Sequence, residues 1–469
     1  MFTVQEILGA TGGELRAGNR WLTVEGVAID SRDVKKGDLF VAIPGSRVDG
    51  HDFVSEAFGR GARAALVSRW PVGTVGEGEE AVIQVENTVS ALGDLARVQR
   101  DRYDIHVVGV TGSVGKTTTK EMVAGVLARR YRTLKTEGNY NTEIGLPLTL
   151  FRLKPEHEAA VLEMAMRGKG QIRVLCGIAR PTLGVITRIG ETHLELLKTR
   201  DNIAAAKAEL LESLPVHGVA VLNGDDPMVR KVAGRAPGRV IFYGTDLRAE
   251  VRAKEIQVRE DGSSTFTLIT PGGDARVVLP VPGHHNVLNA LAAAGVGIAL
   301  GIPVQDIVEG LAGFASAGMR TEIVRQDGLV IINDTYNASP TSTRAALHTL
   351  SLMGRTRRKV AVLGDMLELG SYTEEGHRLV GETVVRSGVD LLVVVGELGA
   401  IIGERARAVG LPDDKVVFCA HTEEAVRVVP VLVKDRDVVL VKGSRGMRME
   451  RVVQALRGRQ KPSTPNPGG

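Results

Sequence analysis

The stretch TGSVGKTTT, residues 111–119, carries residue types that can bind a polyphosphate, at a spacing that lets them act together. Gly112 and Gly115 have no Cβ to hold ligand oxygens away, so the backbone N–H groups of Ser113, Val114, Gly115 and the start of the following helix can cradle phosphate. Lys116 is spaced to reach the β and γ phosphates and Thr117 to ligate the accompanying Mg²⁺, with Thr118 in the same helical turn. The general phosphate loop has another glycine five positions before its second one. Val110 stands there, so the loop is a Thr-Gly-x-x-Gly-Lys-Thr variant. By itself Lys116 reads as an ordinary first-turn lysine. The apolar strand before it and the paired glycines make nucleotide binding the expected reading.

Other polar residues stand where such a sheet presents ligands, beyond the carboxyl ends of apolar runs. Glu163 ends one run in AVLEMAMRGKGQI, and His193 follows another in GVITRIGETHLELL. Both could reach a metal ion, although each alone reads by default as a solvated strand-end acid and a satisfied loop histidine. Lys207, in NIAAAKAELL, reads by default as a surface lysine. Asn286 and Asn289 in GHHNVLNALAAA lie three apart and share a helix face, and their amides need partners that a nucleotide could supply. Capping by Asn286 accounts for only one of the two. Asp334 ends the run LVIIND, and Arg320 lies in the apparent linker before it.

The elements that must position these residues follow from periodicity. Residues 1–85 alternate short strands and helical pieces, a small α/β N-terminal domain. From 86 to 318, short apolar runs at 107–110, 159–163, 183–186 and 219–223 alternate with amphipathic segments. This pattern predicts a central P-loop-type domain with a mostly parallel sheet covered on both faces. Residues 249–282 break the rhythm with Thr- and Val-rich segments that read as antiparallel hairpins. Runs at 329–333, 359–363, 391–395 and 438–441 predict a C-terminal Rossmann-like domain over 319–459, and 460–469 reads as a disordered tail. The fold class is therefore α/β with three domains, which suits 469 residues.

Composition excludes more than it assigns. Fifty-nine basic residues against 55 acidic ones leave a formal charge of +4, spread along the chain, so no nucleic-acid footprint is expected and anionic small molecules are the better partners. Cys176 and Cys419 are too few for a disulfide framework or a zinc site and suit a reducing cytosol. Residues 1–20 lack a basic stretch followed by an apolar core, so no export signal is expected. The longest apolar stretch, 287–302, is too short and glycine-rich to span a bilayer and reads as a buried helix.

Together these residues resemble the Mur ligase family, ATP-dependent amide-forming enzymes of peptidoglycan synthesis that serve cell-wall biogenesis, cell shape and division. The resemblance covers the chain up to the tail. It rests on the TGSVGKTTT loop, Glu163, the THLE segment at His193, Lys207, the HNxxN pair, Arg320 and NDTYNASP. EGNYNTEIGLPLTL (137–150), LGDMLELG (363–370) and VKGSRGM (441–447) are similar to the branch that joins D-alanyl-D-alanine to a UDP-N-acetylmuramoyl-tripeptide. The Asp-Asn-Pro-Arg and Lys-Gly-His-Glu runs of the branch that adds the third amino acid do not occur.

The resemblance implies ATP and two Mg²⁺ ions as cofactors, with Lys116 and Arg320 neutralising the transferring phosphoryl group. It implies one ion on Thr117 and the other on Glu163, His193 and a carbamylated Lys207. It places Asn286 near the phosphates, Asn289 at the adenine and Asp334 on the ribose. Asp30, Ser31 and Arg32, with residues 40–45, Asp49 and His51, would form the uridine-diphosphate site. Asn139 and Asn141 would line the muramoyl-peptide path, and Ser444 and Arg445 the side of the incoming dipeptide. The implied setting is cytoplasmic, with a monomeric protein and no membrane insertion. ATP held by two domains implies closure about the linker GFASAGMR, 313–320. Two rivals stand beside this reading. One is a folylpolyglutamate-synthase-like ligase, which a substrate screen separates. The other is a P-loop nucleotide switch protein, whose turnover a macromolecule rather than a UDP-peptide and an amine would stimulate.

Overall fold

The computed structural model describes residues 1–45, 48–70, 79–316 and 318–459, so the expected tail lies outside the described residues. The first sheet runs Glu14–Ala17, Ala81–Gln84, Ala64–Val67, Leu39–Val41, Val27–Ala28, with only its first pair antiparallel. Helix Thr88–Asp101 follows, started by the Asn87 side chain, which accepts the Val89 and Ser90 N–H groups. Its Leu92 and Leu95 share one hydrophobic cluster with Val4 and Ile7 before it and with Leu146 and Leu175 after it. The core is thus continuous across 85 and 86, where the sequence rhythm changes.

The central sheet has nine strands in the order Gly273–Leu279, Ser264–Thr270, Val251–Val258, Arg239–Gly244, Val219–Asn223, Leu183–Ile186, His106–Thr111, Ala159–Glu163, Thr133–Lys135. From Val251–Val258 to Thr133–Lys135 every neighbouring pair is parallel. Alternate side chains of one strand enter different cores: Ala160 and Leu162 pack in one cluster, Ala159 and Val161 in the other. Burial on both faces is why these strands read as unbroken apolar runs. The antiparallel strands expected over 249–282 are present, and they prolong this same sheet, because Val251 and Arg252 pair in parallel with Tyr243 and Gly244.

The third sheet runs Glu322–Gln326, Leu329–Asp334, Val438–Lys442, Lys359–Gly364, Leu391–Val395, Val416–Cys419, parallel except for the first pair. Strand order reverses beside Val438–Lys442, so the carboxyl ends of its neighbours form the crevice where such sheets take ligands. That crevice faces the phosphate loop of the central sheet across a shared cavity. Among the described residues no helix is long and apolar enough to cross a membrane.

Candidate active site

Strand His106–Thr111 delivers the chain into the glycine turn, and helix Lys116–Leu127 leaves it. The helix is N-capped by Gly115 at φ 89°, with no side-chain cap. Its first N–H groups are therefore left for a ligand, at the positive end of the helix dipole. Neither glycine could carry a side chain: a Cβ on Gly112 would lie 1.9 Å from Thr187 Oγ1, and one on Gly115 2.6 Å from Asn289 Oδ1. Lys116 Nζ donates to Gly112 O at 2.8 Å, which folds the lysine back over the loop. Burial lowers its pKa; Glu163 opposes this and Arg320 reinforces it.

Glu163, the last residue of its strand, is buried and fully engaged. Its Oε2 accepts the Thr117 hydroxyl at 2.8 Å and its Oε1 the Asn141 amide at 2.9 Å. Thr117 and Glu163, expected on different metal ions, are in direct contact. His193 adopts a left-handed backbone, φ 66°, and heads the short helix Leu194–Leu197. Burial, with Lys207, Lys116 and Arg167 adding to it, pushes its ring down to about 4, so the imidazole is a neutral lone-pair donor near pH 7. Lys207 is no surface lysine: it is 2% exposed, on the inner face of helix Arg200–Glu212. Burial, then the Lys116 charge, hold its pKa well below the ordinary lysine value. The amine is therefore driven towards its uncharged form.

The cavity between the central and third sheets has a volume of about 240 Å³ and takes lining residues from both. Asp334 Oδ1 accepts the Thr321 N–H at 3.1 Å, and its Oδ2 accepts Lys442 Nζ at 2.5 Å. Lys442 and Tyr336 were not foreseen from sequence. Lys442 is buried opposite Asp334 in the pairing of two parallel strands, and Tyr336 stacks under the Arg320 guanidinium at 3.8 Å. Around Arg320 the backbone is left-handed at Gly318, Met319 and Thr321. The asparagine pair is tied to the loop: Thr119 Oγ1 donates to Asn289 Oδ1, Asn289 Nδ2 to Asn286 Oδ1, and Asn286 Nδ2 to Pro282 O. Asn286 caps no helix end, a place taken by Gly283. Thr341 of the third segment donates to Glu191 beside His193, joining the two sides.

His193 and Lys207 do not line this cavity, and neither do the remaining candidate residues. Asp30 accepts the Arg32 backbone N–H and guanidinium next to the buried Ser31. Asp49 is hydrogen-bonded to His51 and Arg69, and His51 Nε2 accepts the Ser68 N–H. Both form small polar clusters beyond the carboxyl ends of strands of the first sheet. Asn139 is exposed on the segment that presents Asn141. Ser444 accepts the Leu367 N–H, and Arg445 reaches Glu450 and, in the linker, the Met319 sulfur.

Three family descriptions match this chain in succession: "Mur ligase family, catalytic domain" over 23–100, "Mur ligase middle domain" over 110–297, and "Mur ligase, glutamate ligase domain" over 319–445. A UDP-N-acetylmuramoyl-tripeptide--D-alanyl-D-alanine ligase of Bacillus subtilis (strain 168) is 39% identical over 435 residues, covering 92% of this chain and 93% of that protein. Crystal structure I of MurF from Acinetobacter baumannii superposes with a TM-score of 0.89 at 33% identity, covering 97% of this chain and 99% of that one. MurF ligase from Thermotoga maritima, solved in complex with ADP, superposes with a TM-score of 0.82 at 33% identity, covering 93% and 98%. With three family models matched in succession and relatives matched almost end to end, the chain belongs to the Mur ligase family.

Proposed function

We propose that this protein is an ATP-dependent ligase that joins D-alanyl-D-alanine to a UDP-N-acetylmuramoyl-tripeptide in the cytoplasm, for peptidoglycan synthesis. The observation that carries the reading is the single cavity in which Lys116, Thr117 and Glu163 face Arg320 and Asp334. It is supported by near full-length relatives that bear this ligase name. A carboxylate is a poor acyl donor. Transfer of the γ-phosphoryl group to the tripeptide's terminal carboxylate gives ADP and an acyl phosphate. The dipeptide amine then adds to the acyl carbon, loses a proton, and inorganic phosphate departs.

The loop N–H groups and Lys116 hold the β and γ phosphates, and Arg320 meets the charge on the transferring group. Asn286 and Asn289 keep the loop in place beside the nucleotide, and Asp334 takes the ribose hydroxyls in exchange for its present partners. Ser31, Arg32, Asp49 and His51 hold the uridine diphosphate, Asn139 and Asn141 the peptide, and Ser444 and Arg445 the dipeptide. Residues 1–85, 86–318 and 319–459 are the substrate, ATP and dipeptide domains of a monomer, which closes about the left-handed linker at Arg320 and keeps water from the acyl phosphate.

The donor set fits Mg²⁺. Thr117 and Glu163 offer hard oxygens in contact, and His193 is neutral. Among the described residues no three His, Cys, Asp or Glu side chains converge on one metal position. A second anionic donor would come from Lys207, whose buried, uncharged amine can add to CO₂ and lose a proton to become a carbamate. Two bound Mg²⁺ ions would neutralise phosphate charge in the transfer. The test is a coupled ADP-release assay with UDP-tripeptides ending in lysine or in a diamino acid. Turnover should require both a UDP-tripeptide and D-alanyl-D-alanine. Turnover with a folyl-glutamate acceptor and glutamate, or stimulated only by a macromolecule, overturns the proposal.

A further inference from the structure

Lys120 is buried to 1% exposure one turn beyond Lys116, on the phosphate-loop helix, and no role in nucleotide binding reaches it. Burying an ammonium costs several kcal/mol unless its partners are well placed. Its Nζ donates to Glu121 Oε1 at 2.5 Å and to the carbonyl of Thr136 at 2.7 Å. Glu121 also accepts Lys135 Nζ. Burial works to raise the Glu121 carboxyl, and the two lysines outweigh it and hold it below the ordinary value.

Thr136 sits where edge strand Thr133–Lys135 leaves the sheet while its neighbour runs on to Glu163. Its N–H still donates to Val161 O at 3.0 Å, and its hydroxyl accepts the Glu163 N–H at 3.0 Å. Its carbonyl has lost the strand pairing, and Lys120 satisfies it. From this point the chain turns into residues 137–144, from which Asn141 reaches back to Glu163 Oε1. The Asn141 carbonyl then accepts the Ala165 N–H just beyond the carboxylate. The segment is thus tied to Glu163 at Thr136 and again at Asn141, and the carbonyl at its origin is held by one buried lysine.

We propose that Lys120 is a positioning residue of the ligase: by holding the Thr136 carbonyl it fixes the origin of the 137–144 segment and, through the Thr136 hydroxyl, the placement of Glu163. The inference rests on the reading of Glu163 as a metal-holding carboxylate. Outer partners of metal ligands typically change metal affinity by about 10–100-fold when removed.

The test compares Lys120→Met with the paired Lys120→Met/Glu121→Leu. Replacing both members of a buried ion pair by apolar residues of similar volume leaves stability near its starting value, whereas removing one does not. Two quantities are read: hydrogen–deuterium exchange over 137–144 in the ligand-free protein, and the Mg²⁺ concentration for half-maximal ligation. In both variants exchange over 137–144 should quicken by about tenfold, the scale of one lost buried hydrogen bond. Half-saturation by Mg²⁺ should rise by about tenfold or more. In the paired variant the melting temperature should return towards wild type while both effects persist. Wild-type exchange and wild-type Mg²⁺ dependence in the paired variant would overturn the proposal. If the unaltered protein fails to ligate D-alanyl-D-alanine to a UDP-tripeptide, the functional reading falls, and exchange over 137–144 alone decides whether Lys120 anchors the segment.

Discussion

Gly115→Ala should separate the two reasons for a glycine at the phosphate loop, because the fold supplies a matched control. Gly115 and Gly170 both N-cap a helix in the left-handed region, at φ 89° and 86°, and neither has a side-chain cap. Alanine at either site takes on left-handed backbone strain of about 1–2 kcal/mol. At Gly170 nothing lies within 4 Å of the added methyl, whereas at Gly115 it would lie 2.6 Å from Asn289 Oδ1. That carboxamide is not free to yield. It is held by the Thr119 hydroxyl at 3.2 Å and donates to Asn286 at 3.2 Å. Moving it forfeits two buried hydrogen bonds at about 1 kcal/mol each. Gly115→Ala should therefore be about 2 kcal/mol less stable than Gly170→Ala, a melting temperature about 4–8 °C lower for a domain of this size. ADP should bind Gly115→Ala more weakly by about tenfold or more, since the loop N–H groups move with the collision, and the Gly170 variant should bind normally. Differential scanning fluorimetry and calorimetric ADP titration provide the measurements. Equal melting temperatures for the two variants, with ADP bound normally by both, would refute the argument.

Removing a charge from the opposed pair, as Lys116→Ala or Glu163→Ala, should cut ligation by roughly 10²–10³ while the circular dichroism spectrum stays unchanged. Near-normal turnover would remove those residues from the mechanism. Lys207→Ala should be inactive and partly restored by short-chain carboxylic acids that replace the carbamate oxygens; an unmodified ammonium in an active, ATP-bound crystal would contradict this. Acid stability should report His285. Burial, with Lys442, His284 and His348 adding to it against Asp334, pushes its ring down from an ordinary 6.5 to about 4. As pH falls below 6.5 the unfolded chain takes up a proton that the folded chain refuses. The stability held by the neutral ring is therefore complete above 6.5 and is lost between 6.5 and about 4. His285→Gln should lose less melting temperature over that interval than the unaltered protein, and parallel curves would show that the ring does not titrate in this way.

Much of the site was legible because one signal marks both fold and chemistry. A parallel strand buried on both faces is an apolar run, and the first polar residue after it stands at the sheet's ligand-facing end. The runs ending at Glu163 and Asp334 were read this way, and the strands stop there. Lys442 ends such a run too, but its partner Asp334 is 108 residues away and only the strand pairing brings them together. The asparagine pair was recognised as needing partners, yet Asn289 spends its oxygen on Thr119, 170 residues earlier, so part of that need is met inside the protein. A change of rhythm at 85/86 marks where a pattern begins and not where a core ends: helix Thr88–Asp101 packs in a cluster that holds residues from both sides of it. Lys116 and Lys120 show the limit most sharply. They are the same residue four positions apart on one helix, and while the glycine spacing marks Lys116 as a phosphate ligand, nothing local marks Lys120 as a buried anchor. What separates them is the strand Thr133–Lys135, which stops two residues short of the end of its neighbour and leaves a carbonyl for Lys120 to satisfy.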